Sequence, residues 1–234
     1  MMRLDRFLAN NGFGTRQEVK KLIRAGRIMV DGVCTKNPEV KLDEEQAVVL
    51  VDGNPVFYEK FHYIMLNKPA GCVSSSHEPG EKSVLSYIGE SYAKDLFPVG
   101  RLDKDTEGLL LLTNDGALSH RLLSPSKHVD KRYYVELERE ISKEDIVRFR
   151  EGIDIGDEKL TLPAVLERTE DGRKVFVTLH EGRFHQIKRM FLALNNQVIY
   201  LKRVSMKNLT LDPELKPGDY RRLTAEEIAD LQKD

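Results

Sequence analysis

The chain has 234 residues, enough for one large or two small domains, and its 40% apolar and 32% charged content is that of an ordinary soluble globular protein. Apolar runs stay well short of the roughly 18 residues of a membrane span, and the opening MMRLDRFLANNG lacks the apolar core of an export signal. The formal net charge of −1 argues for no polyanionic partner, but its distribution does: residues 1–41 hold nine Lys/Arg against four Asp/Glu, and the remainder 28 against 34. A basic module on an acidic body is expected where one module supplies phosphate contacts, although a solvated basic helix face gives the same count. Cys34 and Cys72 are isolated, fit neither a zinc site nor a disulfide framework, and point to a reducing, cytoplasmic setting.

In chain order, Leu4, Phe7 and Leu8 lie at i, i+3, i+4 and predict a first helix, broken by Gly12 and Gly14. Thr15 with Glu18 three residues on makes a capping box for a second helix, whose apolar face is Val19, Leu22 and Ile23 and which Gly26 ends. Ile28–Val30, the Asp31-Gly32 turn and Val33 predict a hairpin, and Val48–Val51 another strand, closed by Asp52-Gly53. Residues 54–62 are expected as linker, giving domains 1–58 and 59–234.

Beyond the linker, Tyr63–Leu66 predicts a strand and NKPAG (67–71) a turn. The stretch GRLDKDTEGLLLLTNDG (100–116) sets Asp103 between a Gly-Arg-Leu turn and the apolar run Leu109–Leu112. A run of four apolar residues bounded by turns suggests a buried strand, without excluding a helix. A carboxylate at its lip lies near low-dielectric surroundings that tune its reactivity. Asp103, Asp105 and Glu107 mimic the start of a calcium loop, but the twelfth position is Asn114 and the preceding Phe97-Pro98-Val99-Gly100 is a poor helix, so no metal site is expected. Residues 132–137 and 174–179 predict strands, and 182–194 a strand exit into a helix. The body is therefore α+β, its strands too close together for repeated βαβ crossovers.

Two resemblances add to this. RLDRFLANNGFGTRQEVKKLIRAGRIMVDG resembles the S4 RNA-binding domain, of αL type. The resemblance implies that the second helix and its hairpin face structured RNA, which places Arg16, Lys20, Lys21, Arg24 and Arg27 there, with Arg3 beside them. GRLD at 100–103, Lys131-Arg132-Tyr133 and EGRFHQIKRMF at 181–191, with NKPAG before them, resemble in order the motifs of the pseudouridine synthases that carry an S4 domain. The likeness runs to PGDYR (217–221) and Leu223-Thr224 and implies a catalytic domain with a mixed, largely antiparallel sheet.

That family isomerises uridine in RNA: N1–C1′ breaks, the uracil turns, and C5 joins C1′. With no redox step, group donor or hydrolysis, no cofactor is expected. The resemblance implies Asp103 as the essential carboxylate, attacking C1′ or C6 or removing the C2′ proton; in each route it starts ionised. It implies Lys188 as its cationic partner and Tyr133 as the aromatic surface for the extracted uracil. It further implies Arg101 filling the space the flipped base leaves, and Ile187 and Leu201 as pocket wall. Arg183 and Arg189 are expected at substrate phosphates, and His185 as structural or RNA-contacting.

In EGRFHQIKRMF (181–191), together with Leu162-Pro163-Ala164, the chain resembles the branch acting on one uridine of small-subunit (16S) ribosomal RNA more than its large-subunit relatives. The expected partner is ribosomal RNA or a pre-ribosomal small-subunit particle, met by a monomer away from membranes. Two readings of other classes compete. A non-catalytic S4-type ribosome assembly protein would not need Asp103, Tyr133 and Lys188. An RNA methyltransferase would need a Gly-rich donor-binding loop, which the sequence lacks.

Overall fold

Thr15 builds the first feature that organises the N-terminal end: its hydroxyl accepts from the Glu18 amide at 3.3 Å, while the Glu18 carboxylate accepts from the Thr15 amide at 2.7 Å. This reciprocal cap starts helix α2 (Arg16–Arg24), which follows strand β1 (Met2–Arg3) and helix α1 (Leu4–Asn10). The computed structural model describes residues 1–76, 78–90, 92–124 and 127–233. Strands β2 (Ile28–Val30), β3 (Val33–Cys34), β4 (Lys41–Leu42), β5 (Val49–Val51) and β6 (Asn54–Val56) complete the first part of the chain. β3-β2-β5-β6 form an antiparallel sheet, and β1 pairs with β4. Both hairpin turns, Asp31-Gly32 and Asp52-Gly53, have positive φ at both central residues, as two-residue hairpins require. Leu4, Phe7, Leu8, Val19, Ile23, Ile28, Leu42, Val49 and Val51 close one core. Each such side chain, fully buried, contributes about 1.5–3 kcal/mol.

The boundary differs from the expected linker. Residues 54–56 are not linker but the edge strand β6, held by Val49, Leu50 and Val51. The first compact unit runs to His62 and also takes in residues 88–96, where Tyr92 stacks on His62 with ring centroids 3.7 Å apart.

The second unit, Tyr63–Tyr87 with Phe97–Asp234, holds a nine-stranded sheet. Its strands are β7 (Tyr63–Lys68), β8 (Phe97–Pro98), β9 (Glu107–Thr113), β10 (Lys131–Leu137), β11 (Val165–Arg168), β12 (Lys174–Leu179), β13 (Val198–Met206), β14 (Leu209–Thr210) and β15 (Tyr220–Arg222). The order is β11-β12-β10-β13-β9-β7-β15, with β14 on β13 and β8 on β9. Every pairing is antiparallel except β13 with β9, so the sheet is mixed and largely antiparallel. Helices α3 (Gly116–Leu123), α4 (Lys143–Glu151), α5 (Gln186–Ala193) and α6 (Ala225–Gln232) follow β9, β10, β12 and β15.

β7 is buried along its whole length and β9 from Gly108 onward, which is why 109–112 reads as an unbroken apolar run rather than an alternation. β10 alternates instead: Lys131, Tyr133, Val135 and Leu137 are buried, and Arg132, Tyr134 and Glu136 face the other way. The turn after β9 is a helix start, since Asp115 caps α3 by accepting from the Leu118 amide at 3.0 Å and from the Tyr63 hydroxyl at 2.9 Å. Burial and the neighbouring Asp115 push the Tyr63 phenol up to about 12.

Candidate active site

The loop entering β9 is fixed before any charge on it is considered. Ser74 Oγ donates to the Leu102 carbonyl at 2.9 Å and accepts from the Leu102 amide at 3.1 Å. Beneath the loop lies Lys68, fully buried at the end of β7. Its Nζ donates to four carbonyls: Thr106 at 2.8 Å, Asp103 at 3.0 Å, Pro69 at 3.1 Å and Lys104 at 3.3 Å. Burial pushes this lysine's pKa down, opposed by the charges of Asp105, Asp103 and Glu107. A buried ammonium is tolerable only where such dipoles replace its water. In sequence NKPAG predicts only a turn; the signal for this lysine is a cation two residues beyond the apolar run Tyr63–Leu66.

On that loop the Asp103 carboxylate is a quarter exposed, its Oδ2 3.0 Å from Lys188 Nζ. Lys188 does not serve Asp103 alone: its Nζ lies 2.5 Å from Oδ1 of the exposed Asp105. Burial works to lower the Lys188 pKa, but hydrogen bonds to Asp105 and Asp103 and their charges raise it overall. Asp105 shifts the opposite way, burial raising its pKa and the Lys188 hydrogen bond and charge lowering it to a net depressed value. His185 completes the cluster, its Nε2 3.8 Å from Asp103 Oδ1.

Lys188 reaches this point because α5 is aimed by a clamp in front of it. Gln186, buried, accepts from the Arg183 amide and donates to Glu181, both at 2.9 Å. Arg183 donates to Glu181 at 3.0 Å and to the carbonyls of Lys159 and Leu160 at 2.7 Å. Arg189 donates to Asp157 and the Ile155 carbonyl at 2.5 Å and to the Phe184 carbonyl at 3.1 Å. The expectation that Arg183 and Arg189 meet substrate phosphates is therefore corrected: both guanidiniums are committed to holding the 155–160 segment against the start of α5.

Tyr133 is buried on β10, opposite Val177 of β12 and Arg203 of β13. Leu201 and Ile187 are buried as well, Leu201 opposite Val135. Tyr134 is on the other face, its hydroxyl donating to Glu136 at 2.8 Å. Arg203, absent from the sequence reading, is 2% exposed and donates from Nε to the Leu109 carbonyl at 2.7 Å, while its Nη2 has no hydrogen-bond partner. Beside it Lys131 is buried, its pKa lowered by burial and by the charge of Arg203. Arg101 is exposed, two residues before Asp103.

In the first unit, α2 buries Val19 and Ile23 and exposes Arg16, Lys21 and Arg24, with Lys20 half-buried. Two expected RNA contacts are otherwise engaged. Arg27 pairs through two nitrogens with Asp52, and Arg3 with Asp5 at 2.8 Å and Glu39 at 3.1 Å. Arg6, not singled out from the sequence, is exposed and lines a concavity with Arg3, Arg16 and Lys20. Among the described residues no group of three or more His, Cys, Asp or Glu side chains is placed to hold a metal, and no helix is long and apolar enough to cross a membrane.

Residues 62–193 match the family described as RNA pseudouridylate synthase, and residues 2–48 the S4 domain. The chain belongs to the RNA pseudouridylate synthases. The synthase is 47% identical over 231 residues to an uncharacterized RNA pseudouridine synthase of Bacillus subtilis, covering 97% of both chains. It is 44% identical over 232 residues to the ribosomal small subunit pseudouridine synthase A of Escherichia coli, covering 98% of this chain and 100% of the relative. A crystal structure of a pseudouridylate synthase superposes with a TM-score of 0.70 at 38% identity, over 99% of this chain and 100% of that one. The synthase is thus an isomerase with an N-terminal S4 domain and an α+β catalytic domain.

Proposed function

We propose that the synthase converts one uridine of small-subunit (16S) ribosomal RNA to pseudouridine, with Asp103 as the catalytic carboxylate. The observation that carries this is the pairing of Asp103 with Lys188 on a loop whose carbonyls are pinned from below by Lys68. Attack on C1′ or C6 and proton removal at C2′ all need a carboxylate held in one orientation, and the Lys188 ammonium 3.0 Å away holds it. The reaction balances without an added reagent: N1–C1′ breaks, C5–C1′ forms, the C5 proton leaves and N1 gains one. The small-subunit substrate is supported by the relative from Escherichia coli, whose name states it and which matches over the full chain.

Tyr133 supplies the surface on which the extracted uracil rests, with Ile187 and Leu201 as apolar wall. Arg101, exposed and two residues from Asp103, takes the space left in the RNA stack. The basic face of α2, with Arg16, Lys20, Lys21 and Arg24, holds folded ribosomal RNA or a small-subunit precursor particle through its phosphates. The protein acts in the cytoplasm, as a monomer and without a cofactor.

Asp103→Asn tests the reading, because the amide is nearly isosteric yet neither nucleophile nor base. Carbodiimide treatment and primer extension on ribosomal RNA should find no pseudouridine formed by the variant, while filter binding stays near wild type. Normal turnover by Asp103→Asn would remove Asp103 from the chemistry. Mapping ribosomal RNA from cells lacking the gene should show one missing pseudouridine, in the small subunit.

A further inference from the structure

Phe184 is 76% exposed in a chain that fully buries Phe7, Phe149 and Phe191. Single exposed aromatics are common on protein surfaces, but this one is backed and aimed. One face of its ring is stacked on the His185 imidazole, with centroids 3.9 Å apart and planes 16° from parallel. The same imidazole stands 3.8 Å from Asp103. Phenyl, imidazole and carboxylate thus form a short series running from solvent to the proposed reaction centre.

The turn presenting the ring is held, not loose. His185 has φ +49°, a left-handed conformation disfavoured for a residue with a side chain and retained only where the surroundings enforce it. They do so here: Arg189 donates to the Phe184 carbonyl at 3.1 Å, and the Gln186 amide donates to the Arg183 carbonyl at 3.2 Å. The side chains on either side of it in the chain, Arg183 and His185, are polar or cationic. An exposed π-surface backed by an imidazole that reaches the proposed reaction centre matches a nucleobase lying beside the extracted one.

We infer that the outer face of Phe184 stacks on a nucleobase adjacent to the target uridine and so sets the register in which the uridine meets Asp103. Phenylalanine offers a base no hydrogen bond, so the contact fixes position rather than base identity. The inference rests on reading Asp103 as the catalytic carboxylate.

The test measures binding of the ribosomal RNA fragment that carries the uridine mapped in cells, with every protein in the Asp103→Asn background so that turnover does not intrude. Adding Phe184→Ala should weaken binding about 5- to 100-fold, the effect of losing one base–aromatic stack. Phe184→Tyr should bind within about twofold of its parent, and Phe184→Leu should behave like Phe184→Ala, since it keeps apolar area but no π-face. An abasic nucleotide at one position beside the uridine should cost as much as Phe184→Ala, and combining the two should cost little more. Unchanged binding by Phe184→Ala, recovery by Phe184→Leu, or strict additivity at every abasic position within about three nucleotides would each overturn the inference. Turnover by Asp103→Asn would instead defeat the catalytic reading, which the binding series does not touch. Melting curves confirm that the variants are folded, as substitution of an exposed ring permits.

Discussion

At the scale of single residues, the shared ammonium of Lys188 makes the most direct prediction. Asp105 has its pKa depressed on folding, so its contribution to the bridge is present above the unfolded value, about 3.9, and is lost as pH falls through the folded one. The pKa of Lys188 is raised on folding, so its share is present below the unfolded value and is lost only in strong alkali. The bridge therefore spans neutral pH and opens on the acid side. In Lys188→Met two carboxylates face each other without a cation, and the acidic limb of the single-turnover pH–rate profile should move to higher pH. Lys20→Met, which removes a cation from α2, should leave that limb in place and lower only affinity. Equal losses of affinity alone in both variants would return Lys188 to the role of a phosphate contact. Lys68→Met makes a different prediction, since it leaves carbonyls of the loop without their buried donor. It should cost about 2–4 kcal/mol of stability, read from denaturant midpoints, and should lower the saturating rate although the side chain is assigned no contact with substrate.

At the scale of elements, the meeting of β9 and β13 depends on Gly108. Its φ is +99°, and a Cβ placed there would lie 2.2 Å from the Arg203 carbonyl oxygen and 2.9 Å from its amide nitrogen. Backbone on the facing strand cannot rotate away as a side chain can, so Gly108→Ala should destabilise the catalytic domain by about 1–3 kcal/mol or more. A thermal melt would read this as a drop of several degrees; an unchanged melting temperature would show that the strands can part. The same elements show what the sequence made legible. The capping box at Thr15, the Asp31-Gly32 hairpin and the apolar run of β9 are local patterns, each written in a handful of neighbouring residues, and each formed as expected. What was missed is non-local. Lys68 and Arg203 look like surface cations in sequence, and only the packing of distant segments over them makes them buried donors. Arg183 and Arg189 erred in the opposite direction: cations in a motif next to a substrate invite a phosphate reading, yet Asp157 and four nearby carbonyls had already claimed them. Arg27 and Arg3 follow the same logic, with Asp52 and Asp5 as claimants.

At the scale of the whole molecule, the uneven charge of the chain predicts a division of labour. Deleting residues 1–62, the compact boundary rather than the sequence-derived 1–58, should weaken RNA binding and flatten its salt dependence more than it slows single turnover at saturating RNA. An unchanged affinity and salt slope would contradict this. The parallel pairing of β13 with β9 has a consequence for how the enzyme comes into being. Lys202 and Arg203 lie beside Glu107 and Gly108 across nearly a hundred residues of intervening chain, and Asp103 and Lys188 meet over a comparable span. Such a contact closes late, because the entropy of a long loop is lost before the pairing repays it. During refolding from denaturant, helical signal from α1 and α2 should return first and pseudouridine-forming activity last, in step with burial around β13. During synthesis the nascent chain holds its carboxylate without its lysine until the last quarter has left the ribosome, so on the catalytic reading of Asp103 the newborn enzyme should be inert toward the RNA that surrounds it.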